Sequence, residues 1–400
     1  MNEPQLTIIS SVPVATDSDF LAFDRKFFDG MLRYREYWPG PLKCVARAVG
    51  GVGAESAADF DHRRVAARDL PFEMVILSPG ELAGAAHLRG SSFVLAAGDD
   101  FDQLHVSEIC RRENIPCVYM IENIPETRHQ IVDIDTPNPL RRLRRHWFVM
   151  NGERRRVAAF RRARGLQANG TAAFEHYRWH PDRHLYFDTR VEAAAMISDA
   201  ELQQRLATLA SRRPLRLAFS GRLTGIKGAD QLVDLAGMLA GRGLAFEMTI
   251  YGSGDLEHAM AEGIREKRLG DRVQLAGAVD FRRQLLPAIK SDVDLYVMLH
   301  RQSDPSCTYL ETLACGIPIV GYANKAFSGL LARKDMGWEK PPDDLSGVAD
   351  VIMALDANRA AIPEKSKNAL AFSRAHDFES TFSGRVEHLR RVSEIPSPME

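Results

Sequence analysis

The chain has 400 residues, 45% hydrophobic and 26% charged, with a formal net charge of −1. That is about two to three ordinary domain lengths, enough to bury sizeable cores without disulfides or structural metal, and the neutral balance excludes any overall electrostatic bias. Five cysteines (Cys44, Cys110, Cys117, Cys307 and Cys315) show no CxxC or His–Cys spacing, the N-terminus has no basic and apolar leader pattern, and no stretch of about 18 apolar residues occurs, so a reduced cytoplasmic chain without a spanning helix is expected.

Short apolar runs alternate with longer amphipathic segments, the pattern of βαβ units and parallel sheets. In the first half, strands are expected at Leu6–Ser10, Lys43–Ala46, Met74–Leu77, Phe93–Ala96 and Cys117–Ile121, with helices at Asp19–Tyr34 and Gln103–Arg112. The polar, weakly periodic Asp199–Pro214 stretch reads as a linker. Strands follow at Leu215–Ser220, Ala245–Tyr251, Arg272–Leu275, Leu295–Leu299 and Ile317–Gly321. Helices are expected at Gly228–Gly241, Leu256–Lys267, Phe281–Ile289 and Tyr309–Ala314, and over Ala375–Val392 at the end. Two α/β halves joined at one hinge leave a cleft at the carboxyl ends of their strands, where open sheets bind ligands.

Three segments carry chemistry. In Phe219-Ser-Gly-Arg-Leu-Thr-Gly-Ile-Lys-Gly228 a strand ends, Gly221 turns the chain, and Arg222 and Lys227 stand just before a helix N-terminus. Free N–H groups and two cations suit a diphosphate and would stabilise charge growing on it; a solvated strand–turn–helix junction is the bland alternative. In the second segment, Ser303 to Gly321, the N–H groups of Ser306, Cys307 and Thr308 would form another anion site, and Glu311 could accept from a ribose diol. Thr308-x-x-Glu311 is equally a capping box. The third, Tyr251-Gly-Ser-Gly-Asp255, reads either as a tight turn or as glycines, Gly252 and Gly254, that let the backbone approach a nucleotide.

The order GRLxxxKG, GxG, ExxxxGxP over about residues 214–355 resembles glycosyltransferase family 4. The resemblance implies an α/β chain of the GT-B fold, two Rossmann-like domains facing each other across a cleft. Residues 1–200 would be the acceptor side, 201–375 the nucleotide-sugar side, and 376–400 a helix returning to the first domain. It implies that Arg222 and Lys227 bind the donor diphosphate, that Glu311 binds the ribose, and that transfer is retaining with no metal or cofactor. Gly165-Leu-Gln-Ala-Asn-Gly170 looks like the family's last strand and turn before the hinge. Two positions depart from the pattern. The family's second glutamate, eight residues before Glu311, is here Ser303; Asp304 beside it could substitute at the donor with altered geometry, or the sugar-binding contact is missing. Where many members have a histidine after the strand Pro116–Ile121, this chain has Glu122, which could orient or deprotonate an acceptor hydroxyl.

Between Arg141 and Arg164 lie ten arginines, among them Arg141, Arg142, Arg144, Arg145, Arg154, Arg155 and Arg156, interleaved with Trp147, Phe148 and Phe160. An anionic membrane face competes with a solvated charged helix; nucleic acid is not expected as a partner. Asp292-Val-Asp294 resembles a metal-binding DxD but opens a strand, and no metal site is expected. Asp99, Asp100 and Asp102 read as a polar turn, Cys307 shows no sign of a nucleophile, and His300 could approach the sugar. The expected activity is transfer from a nucleotide-sugar to a glycan or polyprenyl-linked acceptor in bacterial envelope polysaccharide assembly, on the inner membrane face. A catalytically silent scaffold is the alternative, and epimerisation ranks last.

Overall fold

The computed structural model describes residues 3–17, 19–49, 62–211 and 213–393. Two sheets organise it. The first contains β1 (Leu6–Ile9), β2 (Val14–Asp17), β3 (Phe20–Asp24), β4 (Leu42–Val49), β5 (His62–Ala66), β6 (Glu73–Leu77), β7 (Phe93–Ala97), β8 (Cys117–Ile121), β9 (Gly165–Asn169) and β10 (Arg183–Tyr186). Its parallel body runs β6-β4-β1-β7-β8-β9-β10, and β2, β3 and β5 extend it from β4. The second contains β11 (Leu215–Ser220), β12 (Phe246–Tyr251), β13 (Val273–Gly277), β14 (Leu295–Met298), β15 (Ile319–Tyr322) and β16 (Gly337–Lys340), all parallel, in the order β13-β12-β11-β14-β15-β16.

Both bodies therefore share the doubly wound order in which the chain leaves the first strand in one direction and later returns to its other side. The strand order reverses between β1 and β7 in the first half and between β11 and β14 in the second. Loops leaving the carboxyl ends diverge there and open a crevice. Fully buried strand runs such as Phe93–Ala97 and Leu295–Met298 reflect coverage by helices on both faces.

Two expectations are corrected. The helix expected over Asp19–Tyr34 begins only at Arg25 and runs to Tyr37; Phe20–Asp24 is instead β3, paired antiparallel with β2 and β5. Its alternation buries Leu21 and Phe23, and Asp24 then starts the helix by accepting from Phe27 N at 2.8 Å. Asp199–Leu209 is a helix rather than a linker, closed at its start by a Ser198–Glu201 capping box. It buries Leu202 and Leu209, and its Arg205 donates to the carbonyls of Cys315 (2.7 Å) and Gly316 (2.6 Å).

The chain crosses between halves after β10, and again before the final helix, Phe378–Ser393. The crossings are bonded together by Phe378 N to Val191 O, 3.1 Å. That final helix packs on the Arg25–Tyr37 helix and β10 of the first sheet.

Candidate active site

At the second reversal point, the turn after β11 is built by glycines. A Cβ on Gly252 would lie 1.9 Å from Gly221 O, and one on Gly254 2.6 Å from Leu223 O. These two glycines thus let the turn after β12 rest on the turn after β11, with Leu223 N donating to Ser253 O at 2.8 Å; the close approach is between the two turns. Gly228, at φ +70°, lies against Leu299, whose carbonyl oxygen would be 2.1 Å from an added Cβ. The Gly225–Lys227 turn is thereby wedged against the end of β14. Arg301 holds it from below, bonding Gly225 O at 2.5 Å and Asp230 at 2.7 Å.

Lys227 is buried, its Nζ 3.5 Å from Asp304 Oδ2. Arg222 is exposed, and its side chain has no hydrogen bond or ion pair among the described residues; its carbonyl accepts from Thr224 N at 2.9 Å. Beside Lys227 sits His300, 1% exposed, with neither ring nitrogen bonded. Burial, and secondarily Lys227, holds its pKa well below the usual histidine range, so it is neutral. Asp304 Oδ1 is likewise buried without a partner.

The loop 303–306 leads into the Cys307–Ala314 helix, whose N-cap Ser306 makes no side-chain cap bond. Glu311 is no capping-box residue: its Oε1 accepts at 2.7 Å from Nε of Arg190, which lies on the crossing between the halves after β10. Ser303 serves the scaffold. Its Oγ accepts from Lys325 N (3.2 Å) and its N–H donates to Gln130 Oε1 across the cleft (3.2 Å). Gly170, at φ +77°, admits Pro305: an added Cβ would lie 2.8 Å from the proline Cβ. The donor-side loop is thus seated on the turn after β9.

The first reversal point opens into a cavity of about 830 Å³, floored by the loop after β1 and walled by the Arg25–Tyr37 helix, β10 and the final helix. Glu122, an exposed residue just past the end of β8, lines its edge. Desolvation by the surrounding protein, then Asp188 and Asp99, push its carboxyl up to about 7. Asn169 orients it, donating Nδ2 to Glu122 Oε1 at 3.1 Å while its own Oδ1 accepts from Asp188 N at 3.0 Å. Asp188 pairs with Lys26, and Lys26 Nζ approaches Cys307 Sγ at 2.8 Å. A chain of polar contacts therefore runs from Glu122 to the first residue of the Cys307–Ala314 helix. Burial would lower Lys26, yet its partner Asp188 keeps it well above the ordinary lysine value. Burial pushes the Cys307 thiol up to about 12, so it stays protonated.

Asp99, read from sequence as part of a polar turn, is a hub: it accepts from Glu122 N (2.6 Å), Arg128 (3.0 Å) and Arg156 (3.2 Å). Sequence gives Asp99 and Asn169 only as turn residues and gives Asp188 and Arg190 no role, because single polar residues near strand ends carry no motif. Asp294 is taken bidentately by Arg213 at 2.8 Å and by Arg216 N at 2.9 Å, at the amino end of β14, away from the cleft.

The arginine-rich segment is one helix, Pro139–Arg162. Arg156 does not belong to its surface. It is 0% exposed, donating to Gly98 O (2.9 Å), Asn123 O (3.0 Å) and Asp99, and so pins the loops that carry Asp99 and Glu122. Arg141, Arg144, Arg145, Arg154 and Arg155 are exposed, and Arg142 is half-buried. Leu140 (79% exposed), Leu143, Trp147 (62%) and Met150 line one outward stripe of the same helix.

Two doubly wound halves meeting at their reversal points define the GT-B architecture. The fold matches Anabaena Alr3699/HepE, solved with UDP and glucose (TM-score 0.64, 14% identity, covering 98% of this chain and 100% of that one). It also matches sucrose-phosphate synthase from Thermosynechococcus elongatus (TM-score 0.63, 15% identity, 97% and 98%). Residues 214–358 match the family model Glycosyl transferases group 1. That stretch is the half holding Arg222, Lys227 and Glu311. Similar curated proteins include the amylovoran biosynthesis glycosyltransferase AmsK of Erwinia amylovora, 27% identical over 38% of this chain and 39% of that protein. Alpha-D-kanosaminyltransferase of Streptomyces kanamyceticus is 26% identical over 41% and 43%. The match thus spans about two fifths of each of these relatives.

Proposed function

We propose that this chain is a metal-independent retaining glycosyltransferase of family 4. It moves a sugar from a nucleoside-diphosphate sugar to a glycan or polyprenyl-linked acceptor in bacterial envelope polysaccharide assembly, at the inner membrane face. The observation that carries this reading is the buried Lys227 beside the unpartnered Arg222, on a turn locked in place at the reversal point of the second sheet. The fixed Lys227 and the free Arg222 side chain would bind the diphosphate and take up its growing negative charge as the glycosidic bond breaks. The acceptor hydroxyl would enter from the first-half cavity, with Glu122 orienting it or accepting its proton and the departing phosphate as the alternative proton acceptor. Glu311 is proposed to meet the ribose with the oxygen that Arg190 leaves free. The UDP and glucose bound in HepE, and the polysaccharide-assembly name of AmsK, support the donor and acceptor classes.

The test is thermal denaturation with UDP-, GDP-, ADP- and TDP-sugars, followed by donor hydrolysis with the nucleotide that stabilises. A specific donor at a hundred times its Kd adds about 2.7 kcal/mol. No stabilisation by any of them would sink the proposal. A silent scaffold is favoured by one observation, the use of Ser303 in backbone bonding where a sugar-binding carboxylate is expected. Donor binding without any hydrolysis or transfer would select that reading.

Among the described residues no helix is long and apolar enough to cross a membrane. We propose that the outward stripe Leu140–Leu143–Trp147–Met150, flanked by exposed arginines, lies on an anionic bilayer. Each arginine contributes about 1 kcal/mol near such a surface, and the apolar side chains add their burial. Co-sedimentation with phosphatidylglycerol vesicles is expected to fall by about tenfold or more in the Leu143→Ser/Trp147→Ser double variant. Equal binding by wild type and variant would remove the membrane role.

A further inference from the structure

The first-half cavity contains a buried charge that the proposed transfer does not use. Arg385, on the final helix, lines it and is only 5% exposed. Its Nε donates to Gln167 Oε1 at 3.0 Å, its Nη2 meets Met120 Sδ at 2.6 Å, and the rings of Tyr186, Phe382 and Tyr34 surround its Cζ at 4.3, 5.1 and 5.3 Å. Among the described residues no carboxylate lies within ion-pair distance of it. The other buried arginines are satisfied: Arg156 has Asp99 and Glu153, and Arg205 has three carbonyls. A guanidinium offers five N–H donors, and here one reaches an amide oxygen and another a thioether.

The phenol of Tyr34, which lines the same cavity, is buried with its hydroxyl unbonded. Nearby acids are already engaged. Asp99 holds Arg128 and Arg156, Asp188 holds Lys26, Asp24 caps a helix, and Glu122 accepts from Asn169; Asp188 and Glu122 attract Arg385 only through space, without bonding it. Much of the remaining wall is apolar, including Val12, Ala15, Ala22, Phe27, Met31 and Met120. An unpaired buried cation is costly, a buried hydroxyl without a partner adds to that cost, and an apolar wall of this size recognises hydrocarbon.

We infer that the cavity takes an amphipathic anion, a hydrocarbon body carrying one phosphate or carboxylate group that Arg385 and the Tyr34 hydroxyl bind. Resting on the acceptor reading above, this is the acceptor: its anion sits deep against the final helix and its hydroxyl faces Glu122. Charge complementarity selects the anion, and the wall excludes a wholly polar sugar phosphate. Because Arg385 belongs to the helix that returns from the second half, acceptor binding also ties the two halves together at that crossing.

The test titrates geranyl phosphate, geranic acid, geraniol and glucose 6-phosphate into the full chain by calorimetry, with UDP titrated separately into each protein. At least one geranyl anion is expected to bind about tenfold or more tightly than geraniol and glucose 6-phosphate, and the better of the two identifies the head group. Arg385→Gln is expected to lose at least about tenfold of that affinity, Arg385→Lys less, and Tyr34→Phe severalfold, with UDP affinity unchanged. If Arg385→Gln fails to fold, as judged by lost UDP binding, the Tyr34→Phe and geraniol comparisons decide alone. Geraniol binding as tightly as the anions, anion affinity untouched in Tyr34→Phe and Arg385→Lys, or UDP binding with no response to any geranyl compound would each overturn the inference. Absence of UDP binding in the wild type would instead count against the donor reading.

Discussion

Lys227→Ala is expected to lower kcat by about 10²–10³-fold, the loss typical when one fixed group that stabilises developing charge is removed. Lys227 is buried at the end of a turn whose neighbours cannot shift: Gly228 abuts Leu299 O and Arg301 holds Gly225 O. A cation so placed needs no reorganisation when the diphosphate leaves. The stability cost should be small by comparison, about 1–2 kcal/mol, because its ion pair among the described residues, to Asp304, is long at 3.5 Å. Arg222→Ala gives a cleaner version of the same experiment. Its side chain is exposed and has no partner among the described residues, so any loss of turnover there cannot be assigned to unfolding. Single-turnover transfer alongside the denaturation midpoint separates the two effects. Near-normal transfer by both variants would end the diphosphate assignment.

How far the sequence reveals this site depends on whether the signal is local. The strands Cys117–Ile121 and Leu215–Ser220 were legible to the residue, because an unbroken apolar run in the first and a run interrupted only by Arg216 in the second, each closed by a polar turn, leave little choice. Two copies of one pattern show where legibility stops. Ser198-x-x-Glu201 and Thr308-x-x-Glu311 both spell a capping box. The first forms one; in the second the helix starts earlier, with Ser306 at its N-cap and Thr308 already inside it, and the Glu311 carboxylate goes to Arg190, 121 residues away. No local rule distinguishes them. Arg156 was legible in principle: Val149, Gly152, Arg156, Ala159 and Phe160 share a helical face that is buried throughout, and only the density of neighbouring arginines disguised it. The strand Phe20–Asp24 was read as helix because its five residues alternate too briefly, and its partners β2 and β5 decide its state. Asp188, Arg190 and Arg385 reach the cleft only through the sheet order and the final helix, neither of which is written in any single segment.

Transfer is expected to slow as pH falls through 7, and Glu122→Gln to abolish that acid limb. Glu122 is exposed as a residue, but crowding of its carboxyl by the cavity wall, then the like charges of Asp188 and Asp99, raise that group to about 7, against the opposing pull of Lys26 and the Asn169 hydrogen bond. Below that pH the group is protonated and cannot accept a proton from the acceptor hydroxyl, so the rate should drop about tenfold per pH unit. The glutamine variant keeps the Asn169 geometry but not the basicity, and should lose about 10²–10⁴-fold at pH 8. Asp188→Asn removes the larger of the two like charges, so the limb should move to lower pH. A merely structural residue would not shift in this way. The same raised value fixes the sign for stability. A carboxyl harder to ionise in the folded chain than in the unfolded one favours folding below its unfolded value, and that contribution fades as pH rises through about 7. Glu122→Gln should therefore flatten part of the fall in denaturation midpoint between pH 4.5 and 7. This effect needs no substrate and checks the titration independently of turnover. A wild-type rate that stays level from pH 6 to 8, or an acid limb that survives in the glutamine variant, would remove Glu122 from the proton transfer and leave the departing phosphate as the acceptor of that proton.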